Sequence, residues 1–379
     1  MGGGAATFGD EVQACRARPE RPLHRAFPAL ADALPWFSLG DFPTPVEPLR
    51  LGGREDVWIK RDDRSSPVYG GNKVRTLEVL FAQAVSKGAT RIVATGAYGT
   101  NHGAATLLHA PRVGLEPELL LFPQPKSYTA LENLERLVGD ERRAPLLDLP
   151  HWSALPFGMI REKRRGAVVM PPGGATATGA IGYASAGFEL AEQIAAGALP
   201  RPETLVVGVG STCTTAGLLL GLHLAERRGL GDAPHVRAVR VTPWPVTAPW
   251  RIVALAVRAG RLLAELTGDA SVALGRAELA PGLSVEGREL GRGYGCPTDA
   301  GIAAIRRFRD AGGPELDTTY SAKAAAGFLR LVDGAAPGPL LFWSTKSSAP
   351  LPEVVPAALA ASTGRVQRWA ERARRWERP

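Results

Sequence analysis

The segment Tyr69-Gly-Gly-Asn-Lys-Val-Arg-Thr-Leu77 sets one lysine directly after a glycine-rich turn and directly before an amphipathic run. Val74, Leu77, Leu80, Phe81, Ala84 and Val85 recur at helical spacing, which puts Lys73 at the positive end of a helix packed on a core. A helix N-terminus and partial burial both disfavour an ammonium, so the free amine becomes more available as a nucleophile. A Schiff base to an aldehyde cofactor needs that property. A lysine after a turn also serves in many proteins as nothing more than a solvent-facing charge, and the fragment alone leaves both roles open.

Further loops could supply the rest of a site. Gly208-Val-Gly-Ser-Thr-Cys-Thr-Thr-Ala-Gly217 follows an apolar β run and leads into a helix expected to begin near Thr215. Glycines let backbone amides turn inward, Ser211, Thr212 and Thr214 offer hydroxyls, and the helix adds its positive end, so a phosphate fits; a plain tight turn would carry the same glycines. Neither the Gly-Lys-Ser/Thr ending of a P-loop nor the Gly-x-Gly-x-x-Gly fingerprint is present, which argues against nucleotides. Cys213 reads as a small lining residue. Thr95-Gly-Ala-Tyr-Gly-Thr-Asn-His102 gathers a hydroxyl, an amide and an imidazole in consecutive positions, either to orient a small ligand or to cap a helix at Thr100 or Asn101. Pro171 to Ala180 forms another glycine-rich turn, Gly291-Arg-Gly-Tyr-Gly-Cys-Pro297 sets Tyr294 among glycines, and Leu316 to Ala324 sets Tyr320 and Ser321 at an element boundary. Either tyrosine could stack on a planar ring or pack in a core.

Short β runs alternate with helices along most of the chain. Strands are expected at 56–60, 91–95, 119–122, 146–149, 167–170, 204–209, 236–241 and 340–343, and helices at 73–87, 101–112, 128–138, 188–195, 215–228, 250–266 and 298–309. That alternation predicts an α/β protein with two open, twisted parallel sheets flanked by helices, and ligands at the carboxyl ends of the strands. The expected division is an N-terminal extension 1–40, a large domain 41–90 with 180–350, a small domain 91–179, and a basic tail 351–379. In the tail, Val366, Trp369, Ala373 and Trp376 share one helical face, a pattern that permits interfacial membrane binding but suits better a helix docked on its own domain or on a sister subunit.

With 379 residues, 45% hydrophobic and 22% charged, the chain has ample material for two domains. Its apolar runs, such as Ala216 to Leu222, fall short of the roughly 20 residues that span a bilayer. Residues 1–20 lack the apolar stretch of a secretory signal, so a cytoplasmic location is the expectation. Cys15, Cys213 and Cys296 form neither a disulfide framework nor a metal-ligand spacing, and no metal is expected. The net charge of +8 is spread over helices and termini without a nucleic-acid reading element.

Taken in order, Lys60-Arg-Asp-Asp63, Gly70-Gly-Asn-Lys-Val-Arg75, Thr100-Asn-His102, Gly173-Gly174 with Gly179-Ala-Ile-Gly-Tyr183, Gly210 to Thr214, Gly293-Tyr-Gly295 and Asp317-Thr-Thr-Tyr-Ser-Ala-Lys323 resemble the D-cysteine desulfhydrase and 1-aminocyclopropane-1-carboxylate deaminase family. That family belongs to the tryptophan synthase β-like, fold-type II pyridoxal-phosphate enzymes, and the resemblance runs from about Phe42 to Pro350. It implies pyridoxal 5'-phosphate held between two domains of a homodimer acting on a small amino acid, with no nucleic-acid or membrane partner. By the same resemblance Lys73 would carry the cofactor covalently and Asn101 would bond its phenolic oxygen. Gly210, Ser211, Thr212, Cys213 and Thr214 would cradle the phosphate, Tyr320 would lie against the ring, Ser321 near the pyridine nitrogen, and Asn72 and Thr345 would complete the cofactor's surroundings. Thr100, Asn101, His102, Gly174 and Tyr294 would meet the substrate, and Lys73, Thr100, Tyr294 and Tyr320 would form the catalytic set.

The implied reaction is α,β-elimination, releasing a keto acid and ammonia, with sulfide when cysteine is the substrate. Ring-opening deamination, β-replacement and a catalytically reduced binding protein are the alternatives. The sequence also departs from the family. Gly99-Thr-Asn-His102 stands where the desulfhydrases have Gln-Ser-Asn-His, Ala175-Thr176 replaces Ser-Asn, Ser344-Thr-Lys-Ser347 replaces His-Thr-Gly-Gly, and Ser321 replaces the glutamate of the cyclopropane deaminases. Gains and losses of hydrogen-bonding groups on this scale alter substrate discrimination, and Lys346 adds a charge suited to an acidic substituent.

Overall fold

The computed structural model describes residues 8–139, 144–350 and 362–375. Ten strands form two sheets. Val57–Lys60 (β2), Thr204–Val209 (β7), His235–Arg240 (β8), Leu283–Glu286 (β9) and Leu340–Trp343 (β10) run parallel, and the short Val46–Pro48 (β1) closes one edge antiparallel to β2. The order in this sheet is β1-β2-β10-β7-β8-β9. Arg91–Ala97 (β3), Glu116–Phe122 (β4), Leu146–Asp148 (β5) and Val168–Met170 (β6) make an all-parallel sheet of order β5-β4-β3-β6. The doubly covered parallel architecture expected from the alternation is therefore present, with a single antiparallel edge strand added.

Both sheets are buried on both faces, which explains their continuous apolar runs. Helices Ala177–Ala195, Cys213–Arg227 and Pro249–Thr267 pack one face of the large sheet, joined by Leu23, Phe27, Leu30 and Trp36 from the N-terminal segment. Asp299–Asp310 and Ser321–Asp333 cover the other face through Phe308 and Phe328. The small sheet is covered on one side by Asn101–His109 and Tyr128–Gly139 and on the other by Leu155–Arg164.

The helix Lys73–Ser86 is the hub. Val74, Leu77 and Phe81 join the small-sheet core while Val79 joins the large-sheet core. Gly182 lets the Ala177–Ala195 helix approach it closely, since a Cβ there would lie 2.2 Å from the Arg75 carbonyl. Two buried ionic clusters hold this helix in place. Arg75 bonds Asp62 and Glu189, and Lys60 reaches Glu189 at 2.5 Å; Tyr183 and Trp343 donate to Asp62. One turn further, Glu78 accepts from Arg21, from Trp36 Nε1 at 2.9 Å and from the Leu39 amide at 2.9 Å. The N-terminal segment thus clamps the helix that bears Lys73.

The sequence reading located most elements within a few residues and missed others. Val46–Pro48, Leu283–Glu286 and the helices Leu155–Arg164 and Ser321–Asp333 were not anticipated, while Phe8–Arg16, Pro22–Ala26 and Leu30–Ala33 fit the reading of 1–40 as an irregular or partly helical extension. The helix expected from 188 starts at Ala177, capped by the Thr176 hydroxyl on Gly179 N. In the tail, Gly364–Ala373 is helical and buries Val366, Trp369 and Ala373 against the small-sheet core, while Trp376 lies outside the described residues.

Candidate active site

The loops singled out by sequence stand at strand carboxyl ends: 98–100 after β3, 171–176 after β6 and 210–212 after β7. Lys73 is the first residue of its helix, directly after Asn72. Among the described residues, the Lys73 Nζ has no hydrogen bond or ion pair, in contrast to buried Lys60 and Lys323, whose ammonium groups donate to three and two oxygens. Burial pushes the Lys73 ammonium below its ordinary pKa. A Cβ on Gly173 would lie 3.4 Å from this nitrogen and 2.2 Å from Ser211 Oγ, so only glycine leaves that cradle open.

Helix Cys213–Arg227 begins two residues earlier than expected. The backbone N–H groups of Ser211, Thr212, Cys213 and Thr214 have no backbone acceptor among the described residues, as befits a helix N-terminus directed at an anion. Thr212 adopts φ 76°, a conformation that a β-branched residue rarely takes up, and so the loop holds its amides at the expense of local strain. Thr214 Oγ1 accepts from Asn72 Nδ2 at 2.8 Å, tying the anion loop to the turn before Lys73. Cys213 is buried, its Sγ bonding the Gly174 carbonyl at 3.3 Å, and burial pushes its thiol up, so it lines the loop as a neutral group.

Thr100 caps the Asn101–His109 helix, with Oγ1 accepting from Gly103 N at 3.3 Å. Asn101 Oδ1 accepts from Asn133 Nδ2 at 2.7 Å and from Tyr69 OH at 3.3 Å. Those two donors orient the amide and leave Nδ2 to donate to a ligand. Both ring nitrogens of His102 are buried without a partner among the described residues, and burial, aided by the charge of Lys73, lowers its pKa to about 3. A neutral imidazole beside Gly174, where a Cβ would lie 3.5 Å from His102 Cε1, is the result.

Tyr294 and Tyr320 meet edge to face with ring centroids 5.8 Å apart, and their hydroxyls share a short hydrogen bond. Burial raises the Tyr294 phenol to about 12 and that of Tyr320 further, so both stay protonated at neutral pH. A Cβ on Gly210 would lie 3.3 Å from Tyr320 Cε1, which brings that ring to the anion loop. Ser321 begins its helix, and its hydroxyl donates to Asp317 Oδ2 at 2.8 Å while accepting from Asp317 N at 2.7 Å. To donate to any other group it must release the carboxylate. Lys323 Nζ donates to the carbonyls of Leu290 and Gly293, fixing the loop that carries Tyr294.

The altered segment Ser344 to Ser347 grips the lysine turn: Asn72 N donates to the Thr345 carbonyl at 3.1 Å and Gly70 N to Ser347 Oγ at 2.9 Å. Lys346 faces a crevice shared with Tyr128, Thr129, Arg309 and Thr318. Lys60-Arg-Asp-Asp63 supplies ionic supports for the Lys73 helix through Lys60 and Asp62. Sequence reasoning missed these supports, because their partners lie up to 281 residues away. The donor set fits pyridoxal 5'-phosphate: a free amine, a fan of unpaired amides with hydroxyls for a phosphate, a fixed amide donor for a phenolic oxygen, and an aromatic ring beside them.

Comparison with known proteins agrees with this fit. Residues 37–345 match the profile of the family described as pyridoxal-phosphate dependent enzyme. Nocardicin C-9' epimerase of Nocardia uniformis subsp. tsuyamanensis is 34% identical over 333 residues, covering 85% of this chain and 95% of the epimerase. D-cysteine desulfhydrase of Salmonella paratyphi C (strain RKS4594) is 34% identical over 346 residues, 86% of this chain and 96% of that protein. Among solved structures, an ACC deaminase homologue superposes with a TM-score of 0.66 and 28% identity, over 84% of this chain and 93% of the other. The fold extends to threonine deaminase isoform 2 from Solanum lycopersicum, with a TM-score of 0.54 and 16% identity over 92% of this chain and 88% of that one.

Proposed function

The chain belongs to the pyridoxal-phosphate dependent enzyme family, with the fold of its type II members, and from that premise we propose a lyase that eliminates the β-substituent of a small amino acid. The β-substituent departs with a proton, as sulfide when the substrate is cysteine, and water hydrolyses the resulting amino-acrylate to a keto acid and ammonia. The observation that carries this reading is the Lys73 amine, which has no partner among the described residues and lies 3.4 Å from where a Gly173 Cβ would sit, a position that also meets Ser211 of the 210–214 loop. The resemblance to D-cysteine desulfhydrase supports the choice of reaction.

When bound, the cofactor supplies an electron sink for charge developing at the substrate α-carbon. The chain does the rest. Lys73 would hold the group, and its freed Nζ would accept the substrate's α-proton; burial favours the neutral amine that this role requires. Asn101 and the 210–214 loop fix orientation. Tyr294, held protonated by burial, has a proton to give a departing thiolate or alkoxide. Ser321, a neutral hydroxyl where the cyclopropane deaminases carry glutamate, favours elimination over ring opening.

A second reading, epimerisation at the α-carbon, rests on the similarity to nocardicin C-9' epimerase. It uses the same proton abstraction, followed by return of a proton to the opposite face. Incubation with pyridoxal phosphate and desalting should leave a visible absorption band that K73A lacks. A panel of D- and L-cysteine, D- and L-serine, β-chloroalanine and cysteate in deuterated water then separates the readings. Keto-acid release supports the lyase, and deuterium gain with inverted configuration but no keto acid supports the epimerase. Absence of the band in both proteins rejects the two together.

A further inference from the structure

We propose that Gln124 is a specificity residue of this site, its side-chain NH2 hydrogen-bonding the α-carboxylate of the substrate in place of the side chain that position 99 lacks. The inference rests on the amino-acid reading of the site. Gln124 lies just beyond β4, and its Oε1 accepts from Gly99 N at 3.0 Å. That bond settles which end of the amide is oxygen and leaves Nε2 on the other side. The residue is only 7% exposed, and Nε2 is buried without a partner among the described residues. A buried amide with two idle hydrogens is disfavoured unless an acceptor arrives.

The position of Nε2 indicates which acceptor. A Cβ on Gly99 would lie 3.2 Å from it and a Cβ on Gly295 3.1 Å, so the NH2 occupies the seam between the Thr100-Asn101 turn and the Tyr294 loop. The Gly99 turn that it lines runs directly into further donors: the Thr100 hydroxyl, the Asn101 amide and the N-terminal end of the Asn101–His109 helix. Such a cluster recognises an anion with two acceptor oxygens, as a carboxylate has. No side chain can return at position 99, because its Cβ would meet Ala130 Cα at 2.7 Å. Gln124 delivers an amide to the same place from the neighbouring strand. The C-terminal helix holds it there, with Trp369 Nε1 donating to the Gln124 carbonyl at 2.7 Å and the Trp369 ring packed edge to face on Tyr98.

The test is a titration of the holoprotein with D- and L-alanine and with the corresponding alaninamides, followed by the change in the cofactor's visible absorbance. Alanine carries no β-leaving group, so binding is read apart from turnover. Gln124→Glu keeps an oxygen for Gly99 N and replaces the donor by a negative charge; Gln124→Leu removes both. The wild type should prefer alanine to alaninamide. Both variants should retain cofactor, lose alanine affinity by about 10- to 100-fold and bind alaninamide almost unchanged. Variants that discriminate carboxylate from amide as the wild type does would overturn the role of Gln124 and leave the function standing. A wild-type holoprotein that responds to neither amino acid would overturn the functional reading, and this one with it.

Discussion

Glu189 offers a quantitative test of how the lysine helix is held. It is 1% exposed and pairs with both Lys60 and Arg75, while Asp62 balances the second positive charge. Burial by itself would raise its carboxyl pKa, yet Arg75 and Lys60 bring it from the ordinary 4.5 down to about 2. A depressed folded-state pKa means stability that is fully present above the unfolded value and is lost as pH falls through the folded one. The shift corresponds to roughly 3 kcal/mol at neutral pH, in line with the cost of about 3–5 kcal/mol for breaking a buried pair. Glu189→Gln should therefore lower stability by roughly 3 kcal/mol at pH 7, with the deficit shrinking below about pH 4.5 and nearly gone near pH 2. Urea unfolding at fixed, saturating pyridoxal phosphate, repeated from pH 7 to pH 3, measures it. A deficit under about 1 kcal/mol at pH 7, or one that does not shrink on acidification, would refute the reasoning. Because Asp62 still neutralises Arg75, the double variant Lys60→Met with Glu189→Leu should be less destabilised than Glu189→Gln alone.

Two further outcomes follow from backbone and packing. Thr212→Gly removes the strain of a β-branched residue at φ 76° and should stabilise the cofactor-free protein by up to about 1 kcal/mol, read as a raised unfolding midpoint, while the slacker loop releases pyridoxal phosphate faster. Gly99→Ala forces a methyl against Ala130 and should destabilise by about 1–3 kcal/mol; an unchanged thermal midpoint would show that the turn gives way freely.

Much of this molecule was written in local pattern. Helical spacing from Val74 to Val85, a glycine turn before Lys73, and strands that end in glycine-rich loops are properties of neighbouring residues, and they mark the lysine, the 210–214 loop and the Thr100-Asn101 turn in the sequence alone. The short strands Val46–Pro48 and Leu283–Glu286 were illegible, since three or four residues show no telling alternation and become strands only by pairing with Trp58 to Lys60 and Val236 to Val239. The side chains that support the site were hidden for a related reason. Lys60 and Asp62 look like surface charges until Arg75, Glu189 and Tyr183 arrive from elsewhere in the chain, and Gln124 looks like a loop amide until Gly99 and Gly295 close around it. Sequence determined which residues could perform chemistry, through periodicity and turn chemistry acting over a few positions. Tertiary structure decided which buried polar groups found partners and which, like Lys73 Nζ and Gln124 Nε2, found none among the described residues, because that depends on contacts between segments far apart in the chain.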